Sequence, residues 1–145
     1  MKTYIGIDPG ASGGIAWITS NGMAVEAMPE TDKDIFDLLA SIHSDGLAGG
    51  IKAVIESVHS MPRQGVASSF KFGMNFGSLK MALIASGIPH EFVTPQKWQK
   101  DMRCMTGGDK NVSKRRAQEL FPAIKVTHAK ADAMLLAEYA RKNNL

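Results

Sequence analysis

Residues Lys2 to Ile18, KTYIGIDPGASGGIAWI, decide how the rest of the chain is read. Tyr4, Ile5 and Ile7 form a short β-branched and aromatic run, the composition of a buried strand, and Asp8 stands at its end. A carboxylate buried there costs several kcal/mol unless it is hydrogen-bonded, holds a metal or takes up a proton, so Asp8 is a candidate metal ligand. It is equally an Asp whose side chain caps the turn. Pro9-Gly10 and Ser12-Gly13-Gly14 are turn signals, after which Ile15 to Ile18 resume a strand. The stretch predicts a β-hairpin with Asp8 at its mouth.

Working outward, Asn21-Gly22 is a tight-turn dipeptide, and Met23 to Met28 complete a three-stranded meander. Thr31 reads as a helix N-cap, with Asp32 and Asp34 in the first turn. Ile35, Phe36, Leu38, Leu39 and Ile42 then recur at helical spacing to about Ser44. Lys52 to Ser57, KAVIES, repeats the opening pattern, an apolar strand ending in the carboxylate Glu56. If the two strands lie side by side, Asp8 and Glu56 approach each other, and such a pair does not stay doubly ionised without a cation. Taken alone, Glu56 is also readable as a strand-end surface acid.

A polar loop at 58–65 leads to a helix from Val66 to about Ser86, in which Phe70, Phe72 and Phe76 alternate with Lys71, Gly73 and Gly77. Aromatics beside cations can stack on bases or wedge into distorted DNA; the same stripe also serves as core or as a subunit interface. With Phe70, Leu79, Met81 and Leu83 supplying apolar area and the glycines allowing close approach, it is expected to form a homodimer face that Leu83→Glu splits. Ile88 to Val93 reads as a strand, and Thr94-Pro95 opens a short helix containing Trp98. Ser113 is expected to cap a helix running to Phe121, and His128 to Arg141 forms the last helix. In it His128 and Asp132, at i and i+4, share one face.

Composition narrows the class. At 145 residues and 44% hydrophobic, the chain builds one ordinary core, so one domain over 1–145 is expected. No apolar run approaches the roughly 20 residues of a membrane helix. The lone cysteine, Cys104, forms no internal disulfide and no leader opens the chain, which together set a cytoplasmic expectation. Net charge is +3, unevenly placed: residues 1–60 hold three basic side chains against eight acidic, and residues 61–145 hold 14 against six. The basic part, dense in Lys110, Lys114, Arg115 and Arg116 around Gly107-Gly108, favours a polyanion partner and phosphate-backbone contacts.

Asp8, Glu56 and Asp132, in that order along the chain, resemble the RNase H-like nuclease superfamily and, within it, the RuvC-like Holliday-junction resolvases, with a match close to the smaller phage-type members. The residues that carry the resemblance are IGIDPGASGGIAWI, VIESVHSMPRQGVASSFKFG, VTPQKWQK, KNVSKRRAQELFP and HAKADAMLLAEYAR, and they span essentially the whole chain. GIDPG alone is shared with actin-like kinases, whereas the E-x-V-H-x-M-P block with the terminal A-D-A helix is far more specific. Many cellular relatives carry an acid or histidine three residues before the last aspartate. Here that position is Ala129, and His128 stands one residue earlier.

The resemblance implies an α/β fold: a five-stranded mixed sheet of order 3-2-1-4-5 flanked by helices. It implies a Mg²⁺-dependent endodeoxyribonuclease, with Mn²⁺ as substitute, that uses two ions roughly 4 Å apart. Asp8 would touch both ions, Glu56 one, and Asp132 with His128 the other. The implied act is resolution of four-way DNA junctions by a homodimer making paired nicks that leave 5′-phosphate ends, in recombination, repair or phage DNA processing. His59, Arg63 and Gln64, just beyond Glu56, would meet the strand-exchange point, with Phe70 or Phe72 as a wedge beside Lys71. Broader action on flaps and forks, or junction binding without catalysis, are the alternatives. An ATP-binding module built on GIDPG would need a second lobe and phosphate loop for which 145 residues leave no room, so no nucleotide cofactor is expected.

Overall fold

Hydrophobic alternation along the first strand sets the architecture, because successive side chains point to opposite faces of a sheet. The computed structural model describes residues 1–46, 48–58 and 63–145. Strands β1 (Thr3–Asp8), β2 (Gly14–Thr19) and β3 (Gly22–Ala27) form the meander, followed by helix α1 (Asp32–Gly46), β4 (Ile51–Glu56), α2 (Val66–Ala85) and β5 (His90–Val93). Helices α3 (Pro95–Asp101), α4 (Lys110–Leu120) and α5 (His128–Lys142) complete the chain. The sheet order is β3-β2-β1-β4-β5. β1 pairs antiparallel with β2 and parallel with β4, which in turn runs parallel to β5. The expected mixed sheet of order 3-2-1-4-5 is thus the observed one, with β1 at its centre.

The two faces carry different cores. Ile5, Ile7, Ile15, Ala53 and Ile55 point to one side, where they pack with Ile35, Leu39 and Ile42 of α1 and Leu79, Ala82 and Leu83 of α2. Tyr4, Ala16, Ile18 and Val54 point to the other, against Trp98 of α3, Ala117 of α4 and the length of α5. Asp8 and Glu56 have the parity of Tyr4 and Val54. Strand alternation therefore delivers both carboxylates to the face that α5 covers.

α5 sits unusually close to that face. A Cβ placed on Gly6 would lie 2.2 Å from the backbone N of Ala137 and 2.3 Å from the carbonyl oxygen of Ala133, and one on Gly14 would lie 2.8 Å from that of Ala129. No side chain fits in such gaps. Glycine at these two places, facing the small residues Ala133 and Ala137, lets the helix backbone rest directly on β1 and β2. Ala131, Ala133, Met134, Leu135, Leu136, Ala137, Tyr139 and Ala140 are all buried, as expected of a helix enclosed between the sheet and α4.

Helix ends follow ordinary capping chemistry. The Thr31 hydroxyl accepts from the Asp34 N–H at 3.1 Å, and Thr94 accepts from the Lys97 N–H at 3.3 Å with Pro95 at the first helical position. At α4 the expectation is corrected: Asp109 is the cap, accepting from the Asn111 N–H at 2.9 Å, and Ser113 lies inside the helix on its buried side with Ala117. A second correction concerns α2. Leu79 and Leu83 are fully buried beneath their own helix, so neither belongs to an outer interface and Leu83→Glu would place a charge in the core. The outward stripe consists of Val66, Phe70, Met74, Met81 and Ile84, with open space at Gly73 and Gly77.

Candidate active site

The register Ile7↔Ile55 sets the ends of β1 and β4 side by side, and with them Asp8 and Glu56. α5, lying across the same strands, adds Asp132 from its second turn. The charges sense one another: burial is the largest cause raising the Asp8 carboxyl well above its ordinary value, followed by the negative charges of Asp132 and Glu56. Glu56 and Asp132 are also raised, again chiefly by burial, and for Glu56 the charge of Asp132 adds to it. Three half-buried carboxylates on one face thus hold their negative charge at a cost that a cation would relieve.

Neutral donors and one lysine oppose that cost. The indole N–H of Trp98 donates to Glu56 Oε2 at 2.7 Å, and the Ser113 hydroxyl hydrogen-bonds to Asp132. Lys110, exposed at the start of α4, lowers the carboxyl values of both Asp8 and Asp132. His128, exposed on the first turn of α5, does the same for Asp132. The sequence reading placed Lys110 on the phosphate backbone; its charge is also felt within the acid cluster.

The turn after β1 is held from the opposite side. Gly10 N–H donates to Asn75 Oδ1 of α2 at 2.7 Å, and the Phe72 ring packs at Gly10. Phe72 also lines a hollow of about 390 Å³ with Glu56, Ser57, Val58, Arg63, Gln64 and Pro95. Lys71 borders a neighbouring hollow with Ser12, Gln64, Phe72 and Asn75. The two aromatics of the expected wedge therefore separate: Phe72 stands beside Glu56, whereas Phe70 is 69% exposed on the outer stripe of α2. Lys114 and Arg115 border a shallow hollow on α4 with Asp109, Asn111 and Gln118. Arg116 donates from Nε to the Met102 carbonyl at 3.0 Å and pairs with Glu119 at 3.4 Å. His59 lies outside the described residues.

Trp98, Ser113 and Asn75 had no place among the site residues of the sequence reading. Ser113 left a trace, a hydroxyl in the small, buried stripe it shares with Ala117, where a polar group needs a partner. Trp98 left none, since its partner is 42 residues away.

The donor set suits a hard cation. It is made of carboxylate oxygens, the ligands of Mg²⁺ and Mn²⁺, without the thiolates that favour zinc, and Cys104 is buried with its thiol pushed up to about 11. The acids are neighbours and not a closed cage: among the described residues no three His, Cys, Asp or Glu side chains converge closely enough to hold a metal.

A five-stranded mixed sheet of this order flanked by helices is the RNase H-like fold. No family model and no curated protein matches the chain by sequence. Solved structures do match. Thermus thermophilus RuvC in complex with Holliday junction substrate superposes with a TM-score of 0.67 at 16% identity, over 99% of this chain and 96% of that one. A second Thermus thermophilus RuvC structure gives 0.66 at 16% identity, over 98% and 96%. The fold is that of RuvC.

Proposed function

We propose that this protein is a metal-dependent endodeoxyribonuclease that resolves four-way DNA junctions by paired nicks leaving 5′-phosphate ends. The observation that supports this reading is the placement of Asp8, Glu56 and Asp132, drawn from the two ends of the chain and its middle, on one face of a RuvC-type sheet, near enough for their charges to act on one another. Asp8, Glu56 and Asp132 with His128 would hold two Mg²⁺ ions, with Mn²⁺ as substitute; when bound, these supply charge neutralisation at the scissile phosphate and an activated water. The chain's own residues do the rest. Lys110 adds a positive charge at the rim, where a phosphate must come close to three acids. Phe72, Arg63 and Gln64 offer a ring face and polar groups beside Glu56 for the bases at the branch point, and Lys71, Lys114 and Arg115 provide backbone contacts without sequence content.

A two-fold junction suits a two-fold enzyme. The outward stripe of α2, with Phe70, Met74, Met81 and Ile84 exposed along one side of the helix, supports a second copy of the chain as its partner.

The deciding experiment is single-turnover cleavage of a synthetic four-way junction with and without Mg²⁺, beside flap and fork substrates, with ATP hydrolysis as contrast. Paired, Mg²⁺-dependent nicks on the four-way junction are expected, with binding that weakens steeply as salt rises. Equal cutting of flaps and forks would replace this reading by a general branched-DNA nuclease. Binding without cutting would reduce it to a junction-binding protein.

A further inference from the structure

Glu56 has a neighbour that the reaction itself does not require. Trp98 Nε1 lies 2.7 Å from Glu56 Oε2, and the indole is fully buried. It projects from the middle of α3, whose start is fixed by the Thr94 cap and Pro95. Val54, Val93, Met102, Cys104 and Ala133 belong to the core that encloses it. A ring with two side-chain torsions, closed in on its sides, has its donor direction fixed by packing. Glu56 has three torsions and a partly solvated end, so the ordered partner of this hydrogen bond is the indole.

We infer that Trp98 is a positioning residue, a core-anchored donor that holds Oε2 of Glu56 and leaves Oε1 to face the cleft shared with Asp8 and Asp132. The inference rests on the reading of these three acids as the metal-holding set. An arginine in the same place would aim the carboxylate as well, but its charge would cancel the negative potential that gathers cations. An indole donates one hydrogen bond and adds no charge. Hydrogen bonding from Ser113 lowers the Asp132 carboxyl, so the two outer acids each have a neutral donor from a helix of the same layer.

The competing account of the bond is that it merely satisfies a buried indole N–H. The two are separated by a shape-preserving replacement of Trp98 with benzothienylalanine, in which sulfur stands in for N–H, and by a ring-fluorinated tryptophan that keeps the donor, both in a Trp17→Phe background. Mn²⁺ affinity of the DNA-free protein is measured by calorimetry and junction nicking by single turnover. The fluorinated protein should match the parent. The sulfur isostere should keep its melting temperature yet bind Mn²⁺ and nick about tenfold less well, the scale of a lost hydrogen bond to a charged group. Affinity and rate both within about twofold of the parent would overturn the role of Trp98 alone. A parent protein that binds no Mn²⁺ would overturn the reading of the three acids, and this inference with it. A second measurement needs no folded isostere: the Trp98 indole proton–nitrogen resonance should move on Mg²⁺ addition in the native protein and stay still in Glu56→Gln. A resonance indifferent to Mg²⁺ in the native protein would count equally against the inference.

Discussion

The two faces of the sheet are built from the same strands and do opposite things. On the α1 and α2 side, Ile5, Ile7, Ile15, Ile55, Leu79 and Leu83 close an apolar core with no charge in it. On the α5 side, the residues that alternate with them are Tyr4, Gly6 and Asp8 in β1 and Val54 and Glu56 in β4, and the apolar layer opens at its edge onto three carboxylates. One face lowers the free energy of the fold by burying hydrocarbon. The other holds like charges near one another against their repulsion, a cost that the proposed cations would offset. Placing the two demands on opposite sides of one strand lets each be met without weakening the other.

That division is broken most severely by charge placed on the wrong face. Leu83→Glu should leave no stable fold, because an unpaired carboxylate would be sealed in the α1–α2 core; circular dichroism and solubility report it. Met81→Glu, two residues earlier on the same helix but 62% exposed, should keep its melting temperature and convert the proposed dimer to a monomer in sedimentation. A native protein that sediments as a monomer at micromolar concentration would remove the dimer.

On the α5 face the same logic runs in reverse. Asp8→Asn, Glu56→Gln and Asp132→Asn keep shape and remove charge, so each should lower nicking by about a thousandfold or more, roughly 4 kcal/mol in the barrier, while junction binding persists or tightens. Cleavage rates near native for any of the three would strike that residue from the site. His128 stands at the exposed rim, and its effect should be smaller: about tenfold in single-turnover rate for His128→Ala, with partial recovery in His128→Asp when Mg²⁺ is supplied. A change below about threefold, equivalent to roughly 0.7 kcal/mol, would leave His128 as a helix-start residue only.

The smallest expected effect is on stability in chelator. Carboxyl groups raised in the folded state bind protons more tightly there than in the unfolded chain. Their contribution to stability is therefore fully present below the ordinary values of 3.8 for Asp and 4.5 for Glu, and is lost as pH rises through the raised values of Asp8, Glu56 and Asp132. Metal-free protein should thus lose stability on going upward from that window. Asp8→Asn should flatten the dependence and raise the melting temperature near neutral pH by a few degrees, for a gain of about 1 kcal/mol. A native pH profile that rises across the window would contradict the stated burial of these acids.

Much of this was legible in the chain order itself. Local composition sufficed for the existence of every strand and helix, because each is announced by turn dipeptides or apolar spacing within a few residues, although the start of α4 was misplaced by one turn. Alternation from Tyr4 to Asp8 and from Lys52 to Glu56 carried the acids to strand ends, and i, i+4 spacing put His128 with Asp132. Only the tertiary structure decided what the other helices contribute. That Leu83 faces inward and Met81 outward depends on where α2 meets the sheet, since both sit in one nearly continuous apolar run. That Ser113 bonds Asp132 instead of capping α4, and that Trp98 holds Glu56, depends on helices far apart in sequence being pressed onto β1 and β4. Gly6 shows the boundary between the two kinds of knowledge. Its lack of a side chain is written in the sequence, but the backbone of α5 that fills the gap, and so brings Asp132 to Asp8, is a fact of three-dimensional packing.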